Sequence, residues 1–209
     1  TRPIEGDAYT LRYNRGTRDW SIFARYEDID PEFRADAGFI PRVDIKAAAA
    51  GVTRIFRGEP GSGFDQIRVS VSTDRMIDHE GTLTDQGEDL NFLYQGPMQT
   101  TIEASLSENR EQFDGVTYNN SRRFIFVEMR PTGSAGPRFF SHWGETIDFA
   151  NSRPARFVRM GPGIDFRLGS HLRGYVEHTQ HRLRVDQGEL FRANLTQGNL
   201  YYHINLRTF

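Results

Sequence analysis

Residues 199–209 alternate almost without exception. Leu200, Tyr202, Ile204 and Leu206 fall in one phase, and Tyr201, His203, Asn205 and Arg207 in the other. Successive side chains of a β-strand point to opposite faces of its sheet, so this period describes a strand with one apolar wall and one polar, cationic wall. The same period recurs along most of the chain, in segments near the about 9–11 residues that a strand needs to cross a bilayer.

The pattern predicts strands over 8–14, 18–27, 46–57, 66–73, 88–95, 98–108, 121–130, 138–149, 155–168, 171–185, 189–195 and 199–209. That is roughly ten to thirteen strands, with boundaries free to move by about 2–4 residues. Asn14-Arg15-Gly16 is the expected turn of a first hairpin, and Gly96-Pro97 of another. Four consecutive alanines, Ala47 to Ala50, have the propensity to start a helix, but Gly51, Val52, Ile55 and Phe56 behind them favour a strand. Short turns alternate with longer polar connections over 108–120 and 131–137. Unequal loops on alternate sides are the asymmetry of an outer-membrane barrel.

Composition leaves two architectures open. The chain has 209 residues with 37% hydrophobic content, enough for one large all-β domain. No run of about 18 apolar residues occurs, which excludes a membrane-spanning helix. A barrel needs no such run, because only every second residue of a strand meets lipid. A soluble β-sandwich has the same low hydropathy. The net charge of −2 argues against a general nucleic-acid binder, so no nucleic-acid partner is expected. The absence of cysteine removes disulfides, thiolate metal sites and cysteine nucleophiles.

The aromatic residues cluster near predicted strand ends: Tyr9 and Tyr13, Trp20 and Tyr26, Trp143 and Phe149, Tyr201 and Tyr202. Tyr and Trp at strand ends suit the interfacial girdles of a membrane barrel, and they also suit a packed core. The polar wall carries Arg12, Arg25, Arg68, Glu103, Arg123, Arg173, Glu177, His203 and Arg207. An arginine facing lipid at the bilayer midplane costs about 2–4 kcal/mol, so these residues are expected to face water, as the lining of a lumen or the outside of a sandwich. As a lumen they would favour anionic or sugar-like solutes. The connection between the second and third strands is unusual, and its Phe33, Phe39, Arg42 and Asp44 are candidates for an inward plug or a partner contact.

Tests for catalysis and metal binding give no assignment. His178 and His181 are three residues apart and fall on opposite faces of a strand, which prevents shared chelation. Asp74, Asp78, His79 and Glu80 lie near a turn but lack the spacing of a dedicated calcium loop. No Gly-x-Ser-x-Gly elbow, Walker loop or dinucleotide glycine motif occurs. Glu103, Glu128, Glu145 and Glu177 lie on predicted strands, where pairing with the many arginines is expected in place of acid–base work. No catalytic residue, cofactor or metal ligand is expected.

Gly6-Asp-Ala-Tyr9, Arg18-Asp-Trp20, the stretch Asp30-Pro-Glu-Phe-Arg-Ala-Asp-Ala-Gly-Phe-Ile-Pro-Arg-Val-Asp44 and Gly188-Glu-Leu-Phe-Arg-Ala-Asn194 carry a family resemblance. They resemble the C-terminal barrel portion of bacterial outer-membrane proteins whose N-terminal part is a carbohydrate-binding-module family 9-like domain. The resemblance implies a barrel fold, location in the cell outer membrane of a Gram-negative-type cell, and no catalytic residues. Polysaccharide or oligosaccharide, outer-membrane lipid and envelope proteins are the partners it implies.

Outer-membrane barrels commonly end on a phenylalanine in phase with the apolar wall, whereas Phe209 is in phase with Arg207 and Asn205. Further strands are therefore expected beyond it. The sequence thus leads to an all-β fold: an antiparallel up-and-down transmembrane β-barrel over 1–209, incomplete within this chain and acting as an anchor or pore. The alternatives are a soluble β-sandwich that binds or hydrolyses carbohydrate, and a structural subunit of an envelope assembly.

Overall fold

A computed structural model describes residues 6–34 and 42–204. The strands are β1 (Ala8–Gly16), β2 (Trp20–Ile29), β3 (Ile45–Arg57), β4 (Gln66–Ile77), β5 (Leu83–Gly96), β6 (Thr100–Phe113), β7 (Val116–Glu128), β8 (Ala135–Asp148), β9 (Arg153–Leu168), β10 (Leu172–Val185) and β11 (Gly188–Tyr202). A single 3-10 turn, Pro97–Gln99, joins β5 to β6. The strands form one 11-stranded sheet in sequence order, an antiparallel up-and-down meander. The expected all-β meander is therefore present. β1 and β11 end the strand order, and no pairing between them occurs among the described residues.

Three differences from the expected strands have local causes. The connection expected over 108–120 is continuous ladder, because Asp114 and Gly115 form a two-residue turn with φ of 50° and 73°. Two positive φ values match the twist of the flanking strands, and Asp-Gly is a preferred pair for them. The segments expected over 189–195 and 199–209 are one strand: β11 runs unbroken from Gly188 to Tyr202 against β10. In the first hairpin the turn lies after Gly16, where Thr17 donates its backbone N–H to the Trp20 carbonyl at 2.7 Å.

The alanine run is strand, as expected. Ala47, Ala48, Ala49 and Ala50 stand opposite Glu27, Tyr26, Arg25 and Ala24 of β2. The ladder and the neighbouring side chains outweigh the intrinsic helical preference of alanine.

Two compact units make up the chain. The first comprises Thr1–Ile55, Val69–Leu90 and Ser107–Asn120; the second comprises Phe56–Arg68, Asn91–Leu106 and Ser121–Phe209. In the first, Leu11 faces Tyr26, Tyr13 faces Ala24, and Ile22 faces Val52, which makes an apolar face. On the reverse face Thr10 faces Glu27, Arg12 faces Arg25, and Asn14 faces Phe23.

The second unit repeats the division. Val127 and Phe139 lie on one face with Pro162, and Ile164 lies there with Val176. Its other face carries Glu128, Arg138, Gly163 and Glu177 in one transverse row.

Each unit has a phenylalanine laid over a glycine on its polar face. Phe23 is opposite Gly51 and Phe140 is opposite Gly161, and a Cβ at either glycine would run into the facing ring. The missing side chain makes room for the aromatic ring over the neighbouring backbone.

Candidate binding face

Residues with chemical potential gather in the connections of the first unit and on the polar face of the second. In the first unit, the turn after β4 brings His79 between a carboxylate of β2 and carboxylates of the β2–β3 connection. Its Nδ1 is 2.9 Å from Asp44 Oδ1, and its Nε2 is 3.0 Å from Asp28 Oδ1 and 3.9 Å from Asp30 Oδ1. The backbone N–H of His79 also donates to Asp44 Oδ1 at 3.0 Å. Asp44 has φ of 60°, a left-handed conformation that aspartate tolerates better than most residues.

The carboxylates extend the network. Asp28 accepts the Tyr26 hydroxyl at 2.9 Å, and Asp30 accepts the backbone N–H of Asp7 at 3.1 Å. Beside His79, Asp78 takes the Thr82 backbone N–H at 2.7 Å. That bond, helped by the Thr82 hydroxyl and the N–H groups of Gly81 and Glu80, holds the Asp78 carboxyl below the usual aspartate range. Of the four residues noted at this turn in the sequence, Asp78 is thus held by local hydrogen bonds and His79 by the carboxylate clip.

In the second unit Arg138 is the hub. It reaches Asp165 at 3.4 Å and Glu177 at 3.2 Å, and its guanidinium lies 5.4 Å from the centre of the Tyr175 ring. Asn199 approaches the phenols of both Tyr175 and Tyr201, at 3.5 and 3.4 Å. Next to this network is a cavity of about 580 Å³, lined by residues 130–136 leading into β8, by Gln99, and by Asp165, Arg167, Arg173, Tyr175 and Tyr201.

The register locates the residues proposed from sequence. Arg12 and Arg25 are direct cross-strand neighbours and line a second concavity with Phe23 and Asp74. Arg68 shares its strand phase with Ser70, whose hydroxyl meets that of Thr53 at 2.9 Å. Glu103 shares phase with Ser107, which donates to Asp89 at 2.5 Å. Arg173 and Glu177 lie on the polar face of β10, opposite Arg167 and Gly163.

Arg123 is a correction. It stands opposite Trp143, on the face of Ile125, Val127 and Phe139, while Arg122 occupies the polar phase. Two adjacent arginines necessarily point to opposite faces, and only the register decides between them.

His203 follows β11 and donates its backbone N–H to the His171 carbonyl at 2.8 Å. Of the candidate plug residues, Arg42 pairs with Asp85 at 2.8 Å, Asp44 holds His79, and the Phe33 N–H reaches the Asp30 carbonyl at 3.1 Å. Phe39 and Arg207 lie outside the described residues.

The other sequence candidates are distributed, not assembled. His178 faces Thr196 while His181 lies on the opposite side of β10, facing Ala193. Glu128 pairs with Arg130 at 3.2 Å, and Glu145 accepts the Ser121 N–H at 3.2 Å. The sequence places His79 in an oxygen-rich turn without indicating its distant partners, and gives Arg167 no role. The first is recognisable only through partners far away in the chain, and the second only through its register.

Compared with protein-family models, curated proteins and solved structures, the chain matches none.

Proposed function

We propose that this chain forms staves of an outer-membrane β-barrel, with the apolar face toward lipid and the polar face toward a water-filled interior, serving as anchor or solute pore. One observation carries the reading: the large apolar side chains lie outside any core. Leu11 is 71% exposed, Val71 52%, Leu106 48% and Leu200 66%. Among the described residues the buried hydrophobic side chains are Ile45, Ala47, Tyr118, Ile147 and Ala155. A soluble sandwich would pack its apolar face to high density against a second layer. Exposed apolar surface on this scale calls for a non-aqueous or protein neighbour.

The strand lengths agree. β3 to β11 have 12 to 16 residues. At about 3.3 Å per residue and a tilt near 45°, a strand of about 14 residues rises about 33 Å, enough for a hydrocarbon layer of about 30 Å. In that setting the outward backbone groups of β1 and β11 must also find partners. Arg12, Arg25, Arg68, Glu103, Arg173 and Glu177 would then meet water. The family resemblance adds the outer membrane and an association with polysaccharide.

Expression with an export signal, followed by membrane fractionation and gel electrophoresis with and without boiling, tests the reading. Recovery in the outer membrane with heat-modifiable mobility is expected. A soluble monomer obtained without detergent would overturn it and favour the sandwich.

A further inference from the structure

On the polar face of the second unit, Arg167 of β9 and Arg173 of β10 are direct cross-strand neighbours, and Tyr201 of β11 completes the row. Like charges directly opposite on a sheet repel. Three other arginines of this unit have acidic partners: Arg138 has Asp165 and Glu177, Arg153 has Asp148, and Arg192 has Glu189. Neither Arg167 nor Arg173 has an acidic partner among the described residues. The Arg173 guanidinium rests over the Tyr201 ring, 5.3 Å from its centre. The nearest carboxylate in the adjoining row, Asp165, is engaged by Arg138 at 3.4 Å.

These two cations line the cavity of about 580 Å³. That volume suits a small organic ligand. The same lining includes the amide of Gln99, the hydroxyls of Thr132 and Ser134 and the phenol of Tyr175. A pair of guanidinium forks matches a carboxylate or phosphate. A bare ion would leave the Gln99 amide and the Ser134 hydroxyl unused, whereas a polyhydroxylated body uses them as donors and acceptors and takes the proton of the Thr132 hydroxyl, whose oxygen accepts the Ser134 and Ala135 N–H groups.

We propose that this cavity binds a saccharide bearing an oxyanion, with Arg167 and Arg173 holding the carboxylate or phosphate and Gln99, Thr132 and Ser134 meeting the sugar hydroxyls. The site deepens the reading of the polar face as a solute path. It requires only that this face be wet, so it stands or falls separately from the membrane assignment.

Calorimetric titration of the full chain in detergent tests it, with trigalacturonate, its methyl ester, glucose 6-phosphate, glucose and inorganic phosphate as probes. At least one of the two anionic sugars is expected to bind, and their ratio tells whether carboxylate or phosphate is preferred. The uncharged counterpart of the bound sugar is expected to bind at least about tenfold more weakly, the size of one lost charge-assisted hydrogen bond. Arg167→Gln and Arg173→Gln should each weaken that sugar by about tenfold, and the lysine variants by less. Gln99→Ala lies outside the strand ladder and should weaken the anionic sugar without changing inorganic phosphate.

Circular dichroism verifies that each variant keeps its strands. Absence of binding by both anionic sugars, equal binding of acid and ester, or unchanged affinity in the double glutamine variant would overturn the site. Inorganic phosphate binding as tightly as the anionic sugar would overturn the saccharide assignment. Loss of outer-membrane location with sugar binding retained would reject the membrane reading alone.

Discussion

One oxygen of Asp44 serves His79 twice, lying 3.0 Å from its backbone nitrogen and 2.9 Å from its ring Nδ1. The other ring nitrogen is 3.0 Å from Asp28, so a single side chain fastens the turn after β4 to the end of β2 and the start of β3. An imidazole donates to both carboxylates only when both nitrogens carry protons. His79→Ala is expected to lower local stability by about 1 kcal/mol, the worth of hydrogen bonds to charged groups after discounting for partial exposure. Hydrogen exchange should quicken over residues 28–30, 44–46 and 77–82 and stay unchanged over 153–185. Unaltered exchange near His79 would show that the clip contributes nothing.

Asp78 gives the same turn a pH dependence. Its folded pKa lies below the ordinary value, chiefly because the Thr82 backbone N–H donates to it. A depressed folded pKa stabilises above the unfolded pKa, and the contribution is lost as pH falls through the folded value. Protection of the Thr82 amide should therefore persist through the ordinary aspartate range and fail only at more acid pH. Asp78→Asn should remove that acid transition in an exchange-versus-pH series. A transition that survives the substitution would point to another group.

The two faces can be told apart by adjacent substitutions on β6. Leu106 is exposed in the apolar phase, and Ser105 shares the phase of Ser107 and its Asp89 contact. Leu106→Arg should cost about 2–4 kcal/mol in folding into lipid vesicles, as for a lipid-facing cation. Ser105→Arg should cost much less. Equal penalties, read from folded fractions across a urea series, would contradict the assigned faces.

The Phe–Gly pairs make a packing test. Gly51→Ala places a Cβ where the Phe23 ring lies, so the ring must turn away. The expected loss is about 1–3 kcal/mol, the range for overpacking a filled site. Gly51→Ala combined with Phe23→Leu should recover part of it, and unfolding of the single and double variants in detergent gives the comparison. Simple additivity would show that the ring and the glycine do not interact.

The alternation is plain in the sequence at Ile67, Val69 and Val71 of β4 and at Pro162, Ile164, Phe166 and Leu168 of β9, where the apolar residues keep one phase. The turn at Asp114 and Gly115 is also written there. It is easily passed over, because the residues from Glu108 to Gln112 and at Asn119 and Asn120 are polar in both phases and mimic a loop. The division between Arg122 and Arg123 is not legible, since a one-residue shift exchanges the faces and only pairing with β8 sets it. The His79 clip lies further from view: its partners Asp28 and Asp44 are 51 and 35 positions away, and three connections must be placed before they meet. Arg167 and Arg173 become neighbours only when the strand register around Gly169 is known.

Because the strand order follows the sequence without a crossover, each strand pairs with its neighbours in the chain. Such a sheet has no interlocking member whose loss would unravel distant pairings. Its width can change by whole hairpins, through duplication or deletion, while every other register is kept. The fold therefore treats size as an adjustable quantity, with each added pair of strands lengthening the polar rows on one face and the apolar rows on the other.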